Sequence, residues 1–125
     1  MTDKSHSRAI KPIYICHVID AACEKSGVTA EELTAPGKGS AIICAVRAAI
    51  VHVARDLCVV RPTNKELAEA FGLKNESSVL HLGRVAFAAM ATETPTVQQL
   101  AIRHVAQLAR RSLSVNIAFP SGAVK

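Results

Sequence analysis

The chain has 125 residues and a formal net charge of +5, with a pI near 9.3, half of its residues hydrophobic and only 3% aromatic. This length suits one globular domain, with a core built from Ala, Val, Leu and Ile. The longest apolar run, 41–50, contains Arg47, and the charged N-terminus is not followed by the apolar h-region of a signal peptide. We therefore expect neither a membrane span nor a secretory signal, and a cytoplasmic protein compatible with a polyanionic partner.

Sequence patterns divide the chain into a helical domain and two loose ends. Residues 1–10 are polar without periodicity, and the chain ends in the turn-rich "FPSGAVK". We expect a flexible N-terminus at 1–10, a single domain at 11–114 and a flexible tail at 115–125. The fold class that we predict is all-α, a compact bundle of five to six helices.

The first half of the domain predicts three helices. Apolar spacing favours a helix over 13–26 that Gly27 stops. Thr29 precedes Glu32 at the spacing of a capping box and begins a short second helix. Ser40 then starts a long helix that is apolar nearly all round, as a central buried helix would be.

The second half predicts two helices around a glycine turn, followed by a last helix. Thr63 begins a short helix that Gly72 ends, and Asn75 caps the next helix. This layout is typical of a helix-turn-helix. Thr94 as the cap and Pro95 at the first position predict the last helix. Its predicted apolar face comprises Val97, Leu100, Ala101, His104, Val105 and Leu108.

The sequence offers little support for catalysis or metal binding. The four cysteines (Cys16, Cys23, Cys44 and Cys58) lie in apolar helical patterns without a C-x-x-C pair, which favours buried thiols over a zinc site. His52, Arg55 and Asp56 share one helical face, where an exposed i,i+4 pair is a better interpretation than acid-base chemistry. We expect a non-catalytic protein without a metal or cofactor.

Three segments resemble a known family: "SGVTAEEL", "VRAAIVHVARDL" and, most strongly, "KELAEAFGLKNESSVLHLGRV". Over about 90 residues the chain is similar to the C-terminal DNA-binding domain (domain IV) of the bacterial replication initiator DnaA, which has a Trp-repressor-like helix-turn-helix. The residues in register with the family signature are Phe71, Gly72, Lys74, Ser77, Val79, Leu80, His81 and Arg84.

The resemblance implies binding to double-stranded DNA, with the helix after Asn75 in the major groove. Its candidate DNA-binding residues are Lys38, Arg47, Lys74, Asn75, Glu76, Ser77, Ser78, His81 and Arg84. For several of these a structural role remains an alternative. The two serines could merely satisfy the helix end, Lys74 and Arg84 could be solvated charges, and Arg47 could pair with an internal acid. For His81, a half-buried packing residue is the better interpretation.

Departures from the family pattern define the rival hypothesis. Asn75 and Glu76 stand where the family has Asp-His, and Lys38 alone remains of its basic loop. These differences favour a protein-interaction module that keeps the helical scaffold. The "GKGS" at 37–40 is not a P-loop, so we expect no nucleotide binding. The leading hypothesis is a bacterial or phage, nucleoid-associated protein that regulates replication or transcription by site occupancy, with a homodimer or a protein partner adding affinity.

Overall fold

The structure, a computed structural model, describes residues 12–35 and 39–118, with the backbone alone described for 115–118. These residues form six helices: α1 (Ile15–Ser26), α2 (Ala30–Thr34), α3 (Ala41–Leu57), α4 (Asn64–Ala70), α5 (Glu76–Ala91) and α6 (Val97–Ala118). No strand occurs in the described ranges, so the prediction of an all-α bundle is confirmed. None of the described helices combines the length and apolarity that crossing a membrane requires.

Helix α3 is the centre of the bundle and contacts α1, α2, α5 and α6. Residues 45–51 and 53–54 are buried, as its nearly uniform apolar sequence predicts. The Ser40 hydroxyl accepts a hydrogen bond from the Ile43 backbone N–H at 3.4 Å, which confirms Ser40 as the N-cap. The other helices therefore take their places relative to α3.

The short helices begin where the capping signals predicted. Thr29 and Glu32 form a reciprocal capping box, with backbone-to-side-chain distances of 2.9 and 3.1 Å. Thr63 and Glu66 do the same at 2.8 and 3.1 Å. Gly27 ends α1 at φ 81°, and its N–H donates to the Cys23 carbonyl at 2.9 Å.

Helix α6 differs from its prediction at both ends and in its buried face. Thr96, not Thr94, is bonded reciprocally to Gln99 in the manner of a capping box, so the helix begins two residues after Pro95. Its backbone continues past residue 114, because neither glycine nor proline interrupts 112–118. Arg110 and Arg111 therefore do not end the helix.

The buried stripe of α6 is rotated from the predicted one. Val97 is 86% exposed and Leu100 is 51% exposed, and His104 is also exposed. Between residues 97 and 114, where the side chains are described, α6 buries Ile102, Val105, Ala106, Ala109 and Leu113. Both stripes have helical spacing, so only packing against α1, α3 and α5 selects between them.

The cysteines are less buried than predicted. Cys16 is exposed, and Cys23, Cys44 and Cys58 are half-buried. Together, the four form no disulfide bond. Within the described ranges no group of three or more Cys, His, Asp or Glu residues is placed to hold a metal ion.

Candidate nucleic-acid interface

Helices α4 and α5 pack against each other and are joined by residues 71–75. The Leu73 backbone N–H donates to the Ala68 carbonyl at 2.8 Å, which folds the connection back onto the end of α4. Gly72 adopts φ 70°, and a Cβ atom there would lie 2.6 Å from the Thr34 carbonyl oxygen. The turn therefore requires glycine both for its backbone conformation and for its close approach to the end of α2.

The start of α5 departs from the expected capping. Asn75 occupies the N-cap position, but its side chain makes no capping hydrogen bond. Glu76 lies in the first helical turn, where the positive end of the helix dipole stabilises a carboxylate. The prediction of an Asn75 side-chain cap is therefore wrong, although the helix boundary is correct.

Most of the predicted site residues on α5 and the preceding turn reach the surface. The exposed residues are Lys74, Asn75, Glu76, Ser77, His81 and Arg84. Ser78 is half-buried, and Lys38 lies outside the described residues. The interpretation of His81 as a half-buried packing residue is wrong, because its neighbours Val79 and Leu82 face the core instead.

Three of these side chains lie on one face of α5. Ser77, His81 and Arg84 are spaced by four and three residues, which brings them to the same side of a helix. Leu80 is 44% exposed, so this face combines hydrogen-bonding groups with apolar surface. Such a face has the side-chain chemistry to contact either base edges and phosphates or a protein.

Arg47 does not belong to this surface. Its side chain is 2% exposed, its Nε donates to the Leu33 carbonyl at 3.0 Å, and its Nη2 donates to the Leu33 and Ala35 carbonyls at 2.7 and 3.2 Å. Burial lowers the pKa of Arg47. The predicted groove contact is wrong, because the guanidinium group is buried and donates to carbonyl groups at the end of α2.

A second group of polar residues lies where α3, α5 and α6 meet. An Arg110 guanidinium nitrogen lies 2.5 Å from an Asp56 carboxylate oxygen, and the Arg55 Nη2 donates to the Asn64 side-chain oxygen at 2.5 Å. The predicted exposed i,i+4 pair on α3 is thus incomplete, because Asp56 pairs across to α6. Periodicity within α3 could not reveal this, since the two partners are far apart in the sequence.

In this second group, positively charged side chains lie close enough together to lower the pKa values of their neighbours. Burial and the Arg110 charge lower the pKa of His52, against the opposing effect of Asp56. Burial and the Arg61 charge lower the pKa of Arg55. The Arg110 hydrogen bond lowers the pKa of Asp56, which keeps that carboxyl group ionised down to lower pH.

Comparisons with protein-family models, curated proteins and solved structures find no match to this chain. The resemblance to domain IV of DnaA therefore stays a prediction from the residues.

Proposed function

We propose that the chain is a non-catalytic protein that binds double-stranded DNA through α4 and α5. The observation that carries this proposal is the exposed face of α5, on which Ser77, His81 and Arg84 are aligned, with Lys74 exposed in the preceding turn. Helix α5 would enter the major groove with its N-terminal half, as the second helix of a helix-turn-helix does. The short connection 71–75 and the packing of α4 on α5 support this assignment.

The chemistry of the side chains suits the two kinds of contact that DNA offers. Lys74 and Arg84 carry positive charges that would contact phosphates. Ser77, Asn75 and His81 carry donors and acceptors that would reach base edges or sugars. Glu76 accepts hydrogen bonds only, and within a groove it would favour a cytosine amino group and repel phosphates.

The burial of Arg47 limits the number of contacts. Without an arginine in the adjacent groove, the part of the proposed interface that lies within the described residues consists of α5 and its preceding turn. We expect weak binding by a single copy, so a dimer or a protein partner would supply further affinity. The proposed role is regulation of replication or transcription by site occupancy, in the cytoplasm and on the nucleoid.

The alternative function is a protein-interaction module on the same scaffold. Leu80 favours it, because this leucine is 44% exposed in the middle of the α5 face. Glu76 at the start of the helix also suits a basic protein partner better than a polyanion.

The test is the salt dependence of binding to a labelled duplex, measured by fluorescence anisotropy on the full chain. We expect affinity at low salt that falls as salt rises, and a salt slope that decreases by about one unit in Arg84→Ala or Lys74→Ala. Lys25→Ala, an exposed lysine on α1, is the charge-matched control and should change neither quantity. Absence of binding at low salt, or equal behaviour of all three variants, would exclude the DNA-binding proposal.

A further inference from the structure

A cleft of 380 Å³ lies between α3, α5, α6 and the connection that leads into α4. We call it the arginine cleft, after the three arginines that line it: Arg55, Arg61 and Arg110. His52 and Phe87 also face it. Its volume is within the range of about 300–1,000 Å³ that is typical of small-molecule sites.

Positive charge is in excess in the arginine cleft. Three guanidinium groups face one carboxylate, that of Asp56, so its formal charge is +2 with His52 neutral. Asp56 is paired with Arg110. The charges of Arg55 and Arg61 also repel each other, because the Arg61 charge lowers the pKa of Arg55. A bound anion would relieve this repulsion, because guanidinium groups bind phosphate and carboxylate oxygens in pairs.

The cleft is shaped to hold one arginine in place. Gly83 is in the middle of α5, where glycine is less favourable than alanine. A Cβ atom at Gly83 would lie 2.5 Å from Nη1 of Arg55, so the missing side chain makes room for this guanidinium group. The Nη2 atom of the same guanidinium group donates to the Asn64 side-chain oxygen.

An exposed aromatic ring completes the lining. Phe87 is 72% exposed, although the chain has only three phenylalanines and Phe71 is completely buried. Leaving a phenyl ring in water forgoes the stabilisation that its burial would give. A planar ring beside arginines offers the two contacts that a nucleotide needs, namely a stacking surface for the base and donors for the phosphate.

We propose that the arginine cleft binds a mononucleotide, with its phosphate on Arg55, Arg61 and Arg110 and its base on Phe87. Side chains would hold the phosphate here, in contrast to the backbone N–H groups of a P-loop. The sequence-based expectation of no nucleotide binding depended only on the missing P-loop. The lining of the cleft includes none of the proposed DNA contacts Lys74, Ser77, His81 and Arg84, although Phe87 follows Arg84 by one helical turn on α5.

Substitution of Asp56 tests the proposal through an expected increase in the affinity for a phosphate-bearing ligand. Its carboxylate holds Arg110 at 2.5 Å and competes with a phosphate for the same guanidinium group. Asp56→Asn would remove this competing charge and strengthen binding, by about threefold or more. A variant that damaged the fold could not produce this gain.

The experiment is isothermal titration calorimetry of the full chain with AMP, inorganic phosphate and succinate at low salt. We expect AMP to bind more tightly than phosphate, and succinate to bind most weakly. Arg61→Ala should weaken both phosphate-bearing ligands about tenfold, which corresponds to losing one charge-assisted contact. Arg111→Ala, an exposed arginine on α6 that does not line the cleft, is the matched control and should leave both affinities unchanged.

Two further variants separate the parts of the site. Phe87→Leu keeps an apolar side chain and should reduce the affinity for AMP to that for phosphate. Gly83→Ala should weaken both ligands by displacing Arg55. Circular dichroism spectra and thermal melting of each variant would establish that the helical fold is intact.

Several results would overturn the proposal. These are no heat of binding with AMP or phosphate, succinate binding as tight as AMP binding, or an Arg61→Ala variant with wild-type affinity. If Arg61→Ala weakened only duplex DNA binding, the cleft would be part of the DNA-contacting surface and not a mononucleotide site. AMP binding in a chain that does not bind duplex DNA would leave this inference intact while excluding the proposed function.

Discussion

Arg47 is a charged residue in the core whose guanidinium group is hydrogen-bonded to backbone carbonyl groups. Helix α2 has only five residues, and the last carbonyl groups of a helix lack the backbone N–H partners that interior carbonyl groups have. The guanidinium group of Arg47 donates to the Leu33 and Ala35 carbonyls and so ties the end of α2 to the middle of α3. Its role is therefore to join two helices.

We expect Arg47→Ala to lower the free energy of unfolding by about 3 kcal/mol, because buried carbonyls lose charge-assisted donors and a cavity forms. Arg47→Met should cost less, since it fills part of the volume. Urea denaturation would measure both. Arg84→Ala, which removes an exposed arginine, is the control and should stay within about 0.5 kcal/mol of the wild type. Equal effects of the two alanine substitutions would contradict the structural role of Arg47.

His52 predicts a pH dependence of stability. Burial and Arg110 lower its pKa in the folded state below the ordinary value of 6.5, which an unfolded chain retains. As pH falls below about 6.5, the unfolded state takes up the proton first, so stability should decline down to the lower folded pKa of His52. Above this window His52 is neutral in both states and contributes no slope.

The measurement is the free energy of unfolding of the wild type and His52→Gln between about pH 7.5 and pH 5. The wild type should lose stability on acidification relative to the variant. Histidine signals assigned by NMR would give the pKa of His52 directly. A variant whose pH profile runs parallel to that of the wild type would show that His52 is not the group responsible.

At the scale of the element, local signals predicted where helices begin better than which faces they bury. The capping boxes at Thr29 and Thr63 involve residues three apart, so the sequence contains all that their geometry needs. In α6, the sequence contains two possible N-caps, Thr94 and Thr96, and two apolar stripes with helical spacing. Thr96 begins the helix through its capping box with Gln99, which is a local signal of the same kind as those at Thr29 and Thr63. Ile102 joins the buried face because of packing against other helices, which no local pattern contains.

Gly27 and Gly72 both adopt positive φ angles, but a Cβ atom would meet a neighbouring atom only at Gly72. Substituting alanine at each therefore separates the cost of backbone strain from the cost of a steric clash. Gly72→Ala should destabilise more than Gly27→Ala. Each places an alanine in a left-handed conformation, at a cost of about 1–2 kcal/mol. Only at Gly72 would the new Cβ atom also meet a backbone oxygen, that of Thr34 at 2.6 Å, whereas nothing lies within 4 Å at Gly27.

Thermal and urea unfolding of the two variants would measure this difference. A smaller loss for Gly72→Ala would mean that the end of α2 moves away easily and that its close approach to the α4–α5 turn is not required. Binding to duplex DNA, measured on the same variants, would show whether the position of this turn affects the face of α5.

At the scale of the whole molecule, the candidate sites were harder to predict than the fold. The α5 residues were identified from one continuous segment, and most of them are exposed as expected. The arginine cleft combines Arg55 of α3, Phe87 of α5 and Arg110 of α6, so tertiary packing alone brings its parts together. The prediction that Arg47 contacts DNA was wrong because its surroundings depend on where α2 packs, which the sequence pattern does not show.

The central position of α3 predicts that the described helices unfold as one cooperative unit. Ile50 is fully buried in α3, which contacts α1, α2, α5 and α6. Ile50→Ala should therefore lower the free energy of unfolding by about 2–5 kcal/mol and reduce amide-exchange protection by the same amount in α1, α3, α5 and α6. Ile42→Ala is the control, because it removes the same atoms from a side chain that is 45% exposed at the start of α3. It should lower the free energy of unfolding by less than about 1 kcal/mol. Hydrogen exchange monitored by NMR would test this, and protection that fell in α3 while persisting in α5 or α6 would show that the bundle unfolds in separate parts.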